Sequence, residues 1–218
     1  MGIRIFRTMN EYIKHINDIE QSSFSTLVAS SFLSSYLFPK SIVLRFFEKD
    51  LGRNQSSKDA ANNLWQRRKR VHSNIKKAPY KELYEIDAFE EFCKKGIVHR
   101  QMPNFKATPK EIIEVLQTML SLLQNHLLYE VGFCQEQLPF IFIIKAGNGL
   151  TIDVRNNFGY QQIQGLLIED DDIITEFQKE FLRIWKDDLT VSNKNQVISL
   201  IEKKIAFVKE SGHLLSDK

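Results

Sequence analysis

The feature that most constrains this sequence is a helix at residues 108–125 whose apolar face is too wide for a surface position. Thr108 and Glu111 have the spacing of a capping box, in which each side chain bonds a backbone N–H of the other residue. The apolar positions cover most of the helix circumference: Ile112, Ile113, Val115, Leu116, Met119, Leu120, Leu122 and Leu123. The sequence therefore predicts a central, well-buried helix.

A group of strands follows this helix. Residues 129–134 and 150–155 alternate between apolar and polar side chains, residues 140–145 are apolar without interruption up to Lys145, and 161–168 complete the group. Asn148 and Gly149 suit a tight hairpin turn. Because these strands are clustered, the pattern predicts the α+β class, with a mostly antiparallel meander over 128–168 packed against helices 109–125 and 172–187.

The N-terminal half is predicted to be helical. Periodicity and punctuation indicate helices at 9–21, 22–38, 40–50 and 59–77, then a strand at 81–87, a helix at 88–95 that Gly96 ends, and a strand at 97–101. An extra amphipathic helix spans 193–210, with Val197, Ile201, Ile205 and Val208 on one side. We expect one domain over 1–218, with a core at 9–187 and the C-terminal helix at 190–211.

Several functional classes lack their usual sequence signals. The glycine motifs of phosphate-binding loops are missing, the five histidines do not pair at zinc-site spacing, and no GxSxG motif occurs. We therefore expect no catalytic residues, cofactor or metal. No apolar run approaches the length that spans a bilayer, and no signal peptide is evident. The expected location is the cytoplasm, without membrane attachment.

Two pairs of charged residues are candidates for lining a pocket. Glu85 and Asp87 lie two residues apart on a predicted strand, so they would share a face, and Asp153 and Arg155 repeat this spacing. Such pairs could act as an acid and base or as a polar clamp for a ligand. The alternative interpretation places all four on the solvent side of an antiparallel sheet.

A basic segment lies at residues 60–81. It contains seven Lys or Arg residues and no acid, and Trp65 and Tyr80 flank the charges. Such a helix could bind nucleic acid through Arg67, Arg70, Lys76 and Lys77. A net charge of +3 for the chain is, however, a weak electrostatic footprint, and a solvated helix face explains the same pattern.

Arg68 does not fit a simple solvated face. On a helical wheel it falls within the apolar stripe that contains Leu64, Trp65 and Val71. A guanidinium there needs acceptors for its N–H donors. We therefore expect Arg68 to be partly buried, to pair with Glu85 or Asp87, and to bind a ligand together with Trp65. Arg67, Arg70 and Lys77 are expected on the exposed side.

The order of these features resembles the C-terminal sensor domain that follows XRE-type helix-turn-helix regulators in bacteria. The matching stretches are residues 12–20, 32–39, the Gln66–Arg70 helix with its RxxRQ-like arginines, 83–87, 108–125, 129–133, 140–154, and Glu176-Phe177 with Phe181 and Trp185. In that family a helix-turn-helix precedes the domain, whereas this sequence contains none. The resemblance implies a sensing or effector role connected with transcription.

Three functions remain open from the sequence. The first is a non-enzymatic bacterial sensing or interaction module, a regulatory protein that binds a small ligand or a protein partner. The second is nucleic-acid binding through the 60–81 helix, and the third is an enzyme whose site assembles from distant residues. A homo-oligomer formed through the C-terminal helix is a further expectation.

Overall fold

The computed structural model describes residues 2–51, 55–98, 104–138, 141–154 and 164–216. Helices and a 3₁₀ turn alternate with short strands in the first half, and most strands of the second half follow one another directly. The elements in chain order are β1 (Ile3–Phe6), α1 (Met9–Ile19), β2 (Thr26–Ser30), the 3₁₀ turn (Ser35–Leu37), α2 (Lys40–Leu51), α3 (Gln55–Ile75), β3 (Tyr80–Glu85), α4 (Ile86–Lys95), α5 (Pro109–Asn125), β4 (Tyr129–Cys134), β5 (Ile141–Lys145), β6 (Gly149–Asp153), β7 (Gly165–Ile168), α6 (Asp171–Trp185) and α7 (Lys194–Ser216).

The strands form one sheet in the order β1-β7-β6-β5-β2-β3-β4. The pairs from β1 to β2 are antiparallel, whereas β2-β3 and β3-β4 are parallel. Parallel neighbours need long crossover connections, and the helices α2 to α5 provide them. The α+β class with a mostly antiparallel sheet is confirmed.

The predicted meander over 128–168 is only partly correct. Strands β5, β6 and β7 do form consecutive antiparallel pairs, but β4 lies at the far edge, with β2 and β3 between it and β5. The β5–β6 hairpin is present, and its positive φ angles fall on Gly147 and Gly149. Asn148 keeps a negative φ, so the turn differs from the two-residue form that the sequence suggested.

The predicted helix at 22–38 is wrong. Residues 26–30 form the central strand β2, and only Ser35–Leu37 make a short 3₁₀ turn. Strand β2 is flanked by β3 and β5 and is covered on both faces, so its side chains show no alternation that would have revealed a strand. The predicted strand at 97–101 is also absent from the described part: Ile97 makes a single bridge with Lys106, and 99–101 lie outside the described residues.

The two faces of the sheet carry separate cores. One face packs on α6, where Phe181, Ile184 and Trp185 contact residues of several strands. The other face is covered by the remaining helices, and its largest cluster includes Leu116 of α5 and Val197 of α7. A smaller cluster joins α1 to β1 and β7 on this second face.

Local signals define several helix ends. Thr108 and Glu111 form the predicted capping box, Asp170 caps α6 by accepting from the Ile173 N–H, and Gly96 ends α4 with a φ of 70°. Helix α7 packs its apolar side on α5 of the same chain, where Val197 and Ile201 are fully buried. The stripe that suggested an oligomer is therefore covered by the chain itself.

Truncation of Leu116 to alanine should lower the free energy of unfolding by about 2–5 kcal/mol, because it leaves a cavity in the main core. Leu116 is completely buried in α5. Leu127, which is 92% exposed, provides the control: its alanine variant should stay within about 0.5 kcal/mol of the parent protein. Urea denaturation measures both, and equal losses would show that α5 is not central.

Candidate ligand-binding pocket

A pocket of about 160 Å³ lies between the sheet and the helices α1, α2 and α3, and it is partly open to solvent. Its walls are mainly apolar. Aromatic side chains from three parts of the chain contribute to the lining: Tyr12, Phe32, Phe38, Phe46 and Phe47. Ligand sites of proteins usually combine such walls with a few polar groups.

The spacing of the lining residues follows from the elements that carry them. Helix α1 contributes Ile13 and Ile16 beside Tyr12, all on one side of the helix. Val28 of β2 and Ile143 of β5 are paired across the two strands, so they share the same face and form the floor. The pocket is therefore formed between the apolar sides of amphipathic helices and one face of the sheet.

A small set of polar residues also lines this pocket: Asn17, Ser30, Ser34, Ser35, Arg67 and Asp153. Arg67 and Asp153 are only 8% and 3% exposed, so both charged side chains belong to the protein interior. They reach the pocket from different directions, because Arg67 is on α3 and Asp153 ends β6.

Arg67 forms a buried ion pair with Glu20, at the end of α1. The Arg67 Nε donates to Glu20 Oε1 at 2.6 Å, and Nη1 donates to the Ser35 hydroxyl at 2.8 Å. The Glu20 charge raises the pKa of Arg67 although burial opposes this. Burial raises the pKa of Glu20, an effect that the neighbouring Arg67 only offsets in part. The pair joins α1, α3 and the 3₁₀ turn beside the pocket.

The expected exposure of Arg67 is wrong, whereas the expected partial burial of Arg68 is confirmed. Arg67, expected on the exposed side, is the buried arginine, whereas Arg68 is half-buried and donates to the Thr118 hydroxyl at 3.1 Å. The Arg68 guanidinium lies 4.9 Å from the Trp65 ring centre, so these two predicted site residues are in contact. Neither lines the pocket described above.

The expected pairing of Arg68 with Glu85 or Asp87 is also wrong. Glu85 is buried on β3 and accepts from the Leu138 N–H at 2.9 Å, while Asp87 is exposed in the first turn of α4. Strand β3 ends at Glu85, so the two acids do not share a strand face. The Glu85 side chain therefore lies on the face of the sheet that is opposite the pocket.

The second predicted pair is only half within the described residues. Asp153 is buried and lines the pocket, so the solvent-face interpretation is wrong for this residue. Arg155 lies outside the described residues. A role for Asp153 in binding a ligand stays a prediction.

The basic helix does not present one continuous charged face. Arg67 is buried, and Arg70 is half-buried and donates to the Asn17 side chain. Lys76 and Lys77, at the end of the helix, are exposed. The residues proposed for nucleic acid binding therefore divide between the interior and the surface.

Sequence reasoning missed a buried carboxylate, Glu82, at the centre of the sheet. It is completely buried and accepts hydrogen bonds from the hydroxyls of Ser34, Tyr36 and Tyr129 at 2.5–2.6 Å. Burial and the nearby Glu82 charge raise the pKa of Tyr36 and Tyr129 well above the ordinary value. These tyrosines therefore remain protonated donors, and through Ser34 the network supports the pocket wall.

The two cysteines are not activated thiols. Burial raises the pKa of the Cys93 and Cys134 thiols to about 12, so both are neutral near pH 7. Within the described ranges, no group of histidine, cysteine and acidic side chains is arranged to hold a metal ion. Among the same residues, no helix combines the length and apolarity that a membrane span requires.

No protein-family model matches the sequence, and no curated protein matches it. Among solved structures, the chain is similar to TrmBL2, described as an archaeal chromatin protein with a novel mode of DNA binding. The likeness is distant: the TM-score is 0.46 and the identity 8%, over 86% of this chain and 51% of the TrmBL2 chain. This chain thus spans about half the length of that protein, and the DNA binding is a property of TrmBL2.

Replacement of Arg67 by alanine should destabilise the protein by about 3–5 kcal/mol, because it leaves the buried Glu20 without its counter-ion. The neighbouring Arg68 is the matched control. Its alanine variant loses one hydrogen bond and one cation–π contact, and should cost about 1 kcal/mol. Chemical denaturation compares the two, and a larger loss for Arg68→Ala would contradict the assignment of Arg67 as the buried arginine.

The stability of the protein should fall between pH 6.5 and pH 4 partly because of His72. Burial and the charges of Arg68, His126 and Lys76 lower its pKa from 6.5 to about 4. The unfolded chain therefore binds the proton first on acidification, so the contribution is complete above pH 6.5 and is lost below it. Urea denaturation at several pH values should give a shallower slope for His72→Gln; an identical slope would contradict the lowered pKa.

Proposed function

We propose that the protein is a non-enzymatic regulatory module that binds a small, largely apolar molecule in the pocket between α1, α2, α3 and the sheet. The observation that carries the proposal is the pocket itself, with its apolar walls and a few buried polar side chains. The sequence resemblance to sensor domains of bacterial regulators favours a role connected with transcription, exerted through a protein partner.

The volume of the pocket supports a ligand rather than a packing defect. Protein interiors contain few voids larger than a water molecule, because side chains pack at crystal-like density. A dry apolar cavity of about 150 Å³ is sufficient to bind benzene. The pocket of about 160 Å³ therefore has room for one aromatic ring or a short branched chain.

The other two functions find less support. The basic helix buries Arg67 and engages Arg70 with Asn17, which removes two of the four residues proposed for nucleic acid binding from a free surface. For an enzyme, the buried acid Glu82 is a poor candidate. Both of its carboxylate oxygens accept hydrogen bonds and none of its atoms is exposed, so it is suited to holding the sheet and its tyrosines together.

The proposal is tested by filling the pocket. Leu64 lines the pocket and is half-buried on α3, so Leu64→Trp should occupy the space that a ligand needs. In a screen of ring-sized compounds by ligand-observed NMR and thermal shift, the parent protein should bind and be stabilised, since a ligand that prefers the folded state raises its stability. The variant should lose most of this binding.

Leu182→Trp is the matched control. Leu182 is 40% exposed on α6, on the other side of the sheet, so this substitution adds the same side chain without entering the pocket. It should bind the same compounds as the parent. Equal binding by the Leu64→Trp variant, or no hits for the parent protein, would contradict the proposed function.

A further inference from the structure

The charges beside the pocket are unbalanced. Glu20 interacts electrostatically with three cations, Arg67, Arg70 and Lys145. Glu20, Arg67 and Lys145 are each less than a tenth exposed. A buried carboxylate surrounded by more than one cation leaves a net positive charge in a region of low dielectric, where an additional anion is favoured.

The sheet register places Lys145 two residues along β5 from Ile143, which lines the pocket, whereas Lys145 itself lies outside the lining. Lys145 of β5 pairs with Thr26 of β2, which pairs with Tyr80 of β3, so the three side chains form a row on the face that carries the pocket. Arg67 interacts electrostatically with Tyr80. The other buried acid of the pocket, Asp153, pairs with Ile141, four residues along β5 and roughly 13 Å from the Lys145 row.

The hydrogen bonds of this cluster are incomplete. Glu20 Oε2 and Arg70 Nε are buried without a partner. A guanidinium has five N–H donors, and the acceptors of Arg67 are Glu20 and Ser35, so donors remain for a group in the pocket.

Ser35 adds a second donor at the same place. It lines the pocket and accepts from Arg67, and among the hydrogen bonds of the described residues its own O–H has no acceptor. An N–H of Arg67 and this O–H can therefore both point at one oxygen-bearing group. A carboxylate accepts from such a pair and, unlike a neutral acceptor, also offsets the excess positive charge.

We infer that the ligand of this pocket is a small organic carboxylate, with an apolar body about the size of one aromatic ring and an acid group directed at Arg67 and Ser35. This assignment rests on the proposed function and adds the chemical class of the ligand. The apolar walls hold the body and Arg67 contacts the acid group, while Lys145 and Arg70, which do not line the pocket, add positive potential behind it.

Three isosteric probes test the charge. Benzoate, benzamide and benzamidine have the same ring and the same planar head, and at pH 7 they are anionic, neutral and cationic. Calorimetric or NMR titration of the full chain should give benzoate an affinity on the order of tenfold above that of benzamide, equivalent to about 1.4 kcal/mol. Benzamidine should bind most weakly. Equal or weaker binding of benzoate would overturn the inference.

A pair of lysine variants tests the origin of this preference. Lys145→Met removes a buried cation at nearly constant side-chain shape, and should reduce the ratio of benzoate to benzamide affinity several-fold. Lys81→Met is the control, because Lys81 lies on the opposite face of the sheet, paired with Glu130. It should leave the ratio unchanged, and an equal effect of both variants would overturn the assignment of the charge to this cluster.

The proposed function and the ligand class fail separately. Binding of neutral or cationic ring compounds that Leu64→Trp abolishes would keep the pocket as a ligand site and overturn the carboxylate. Failure of all three probes to bind the parent protein would also overturn the ring-sized carboxylate, while the broader screen decides whether the pocket binds any ligand.

Discussion

The carboxylate of Glu82 constrains the arrangement of half the structure. It is fully buried in the middle of β3, where an unpaired charge would cost several kcal/mol. Its acceptor oxygens must therefore be satisfied, and the donors are Ser34 and Tyr36 from the connection after β2 and Tyr129 from β4. The connection is thereby held across the sheet face, which places Ser34 and Ser35 in the pocket wall.

The Glu20–Arg67 ion pair has the corresponding role for α1 and α3. Asn74, two helical turns further along α3, also holds the segment that follows α1. Its side chain donates to the Glu20 backbone carbonyl and accepts from the Ser23 hydroxyl. Arg67 and Asn74 are seven residues apart and so lie on one side of the helix. The side of α3 that faces α1 is therefore polar, although it is buried.

This polar buried side explains why the sequence pointed to Arg68. A helical wheel centres the buried side on the apolar residues, which places Arg68 within it and Arg67 outside. In the structure the buried side is turned towards Arg67 and Asn74, because Glu20 and Ser23 supply partners for both. Those partners lie about fifty residues away in sequence, so no pattern within α3 could identify them.

Elements with local signals were predictable. The capping box of α5, the glycine end of α4 and the acid-rich start of α6 depend on residues within four positions of one another. Strand β2 was missed because its surroundings, not its own pattern, determine its conformation. Asp153 was ambiguous for the same reason, and Ser35 carried no signal at all: the environment of each depends on which strands and helices become neighbours.

The same buried polar contacts explain how an open pocket can persist in a small protein. A purely apolar interior would lower its free energy by closing a void, since dispersion contacts are lost at every gap. Here the walls are positioned by directional bonds to Glu82 and Glu20, and closing the pocket would require these bonds to lengthen in a region where unpaired polar groups are costly. A ligand that fills the space gains the missing contacts without breaking those bonds. The polar network thus preorganises the apolar site, which lowers the cost of binding.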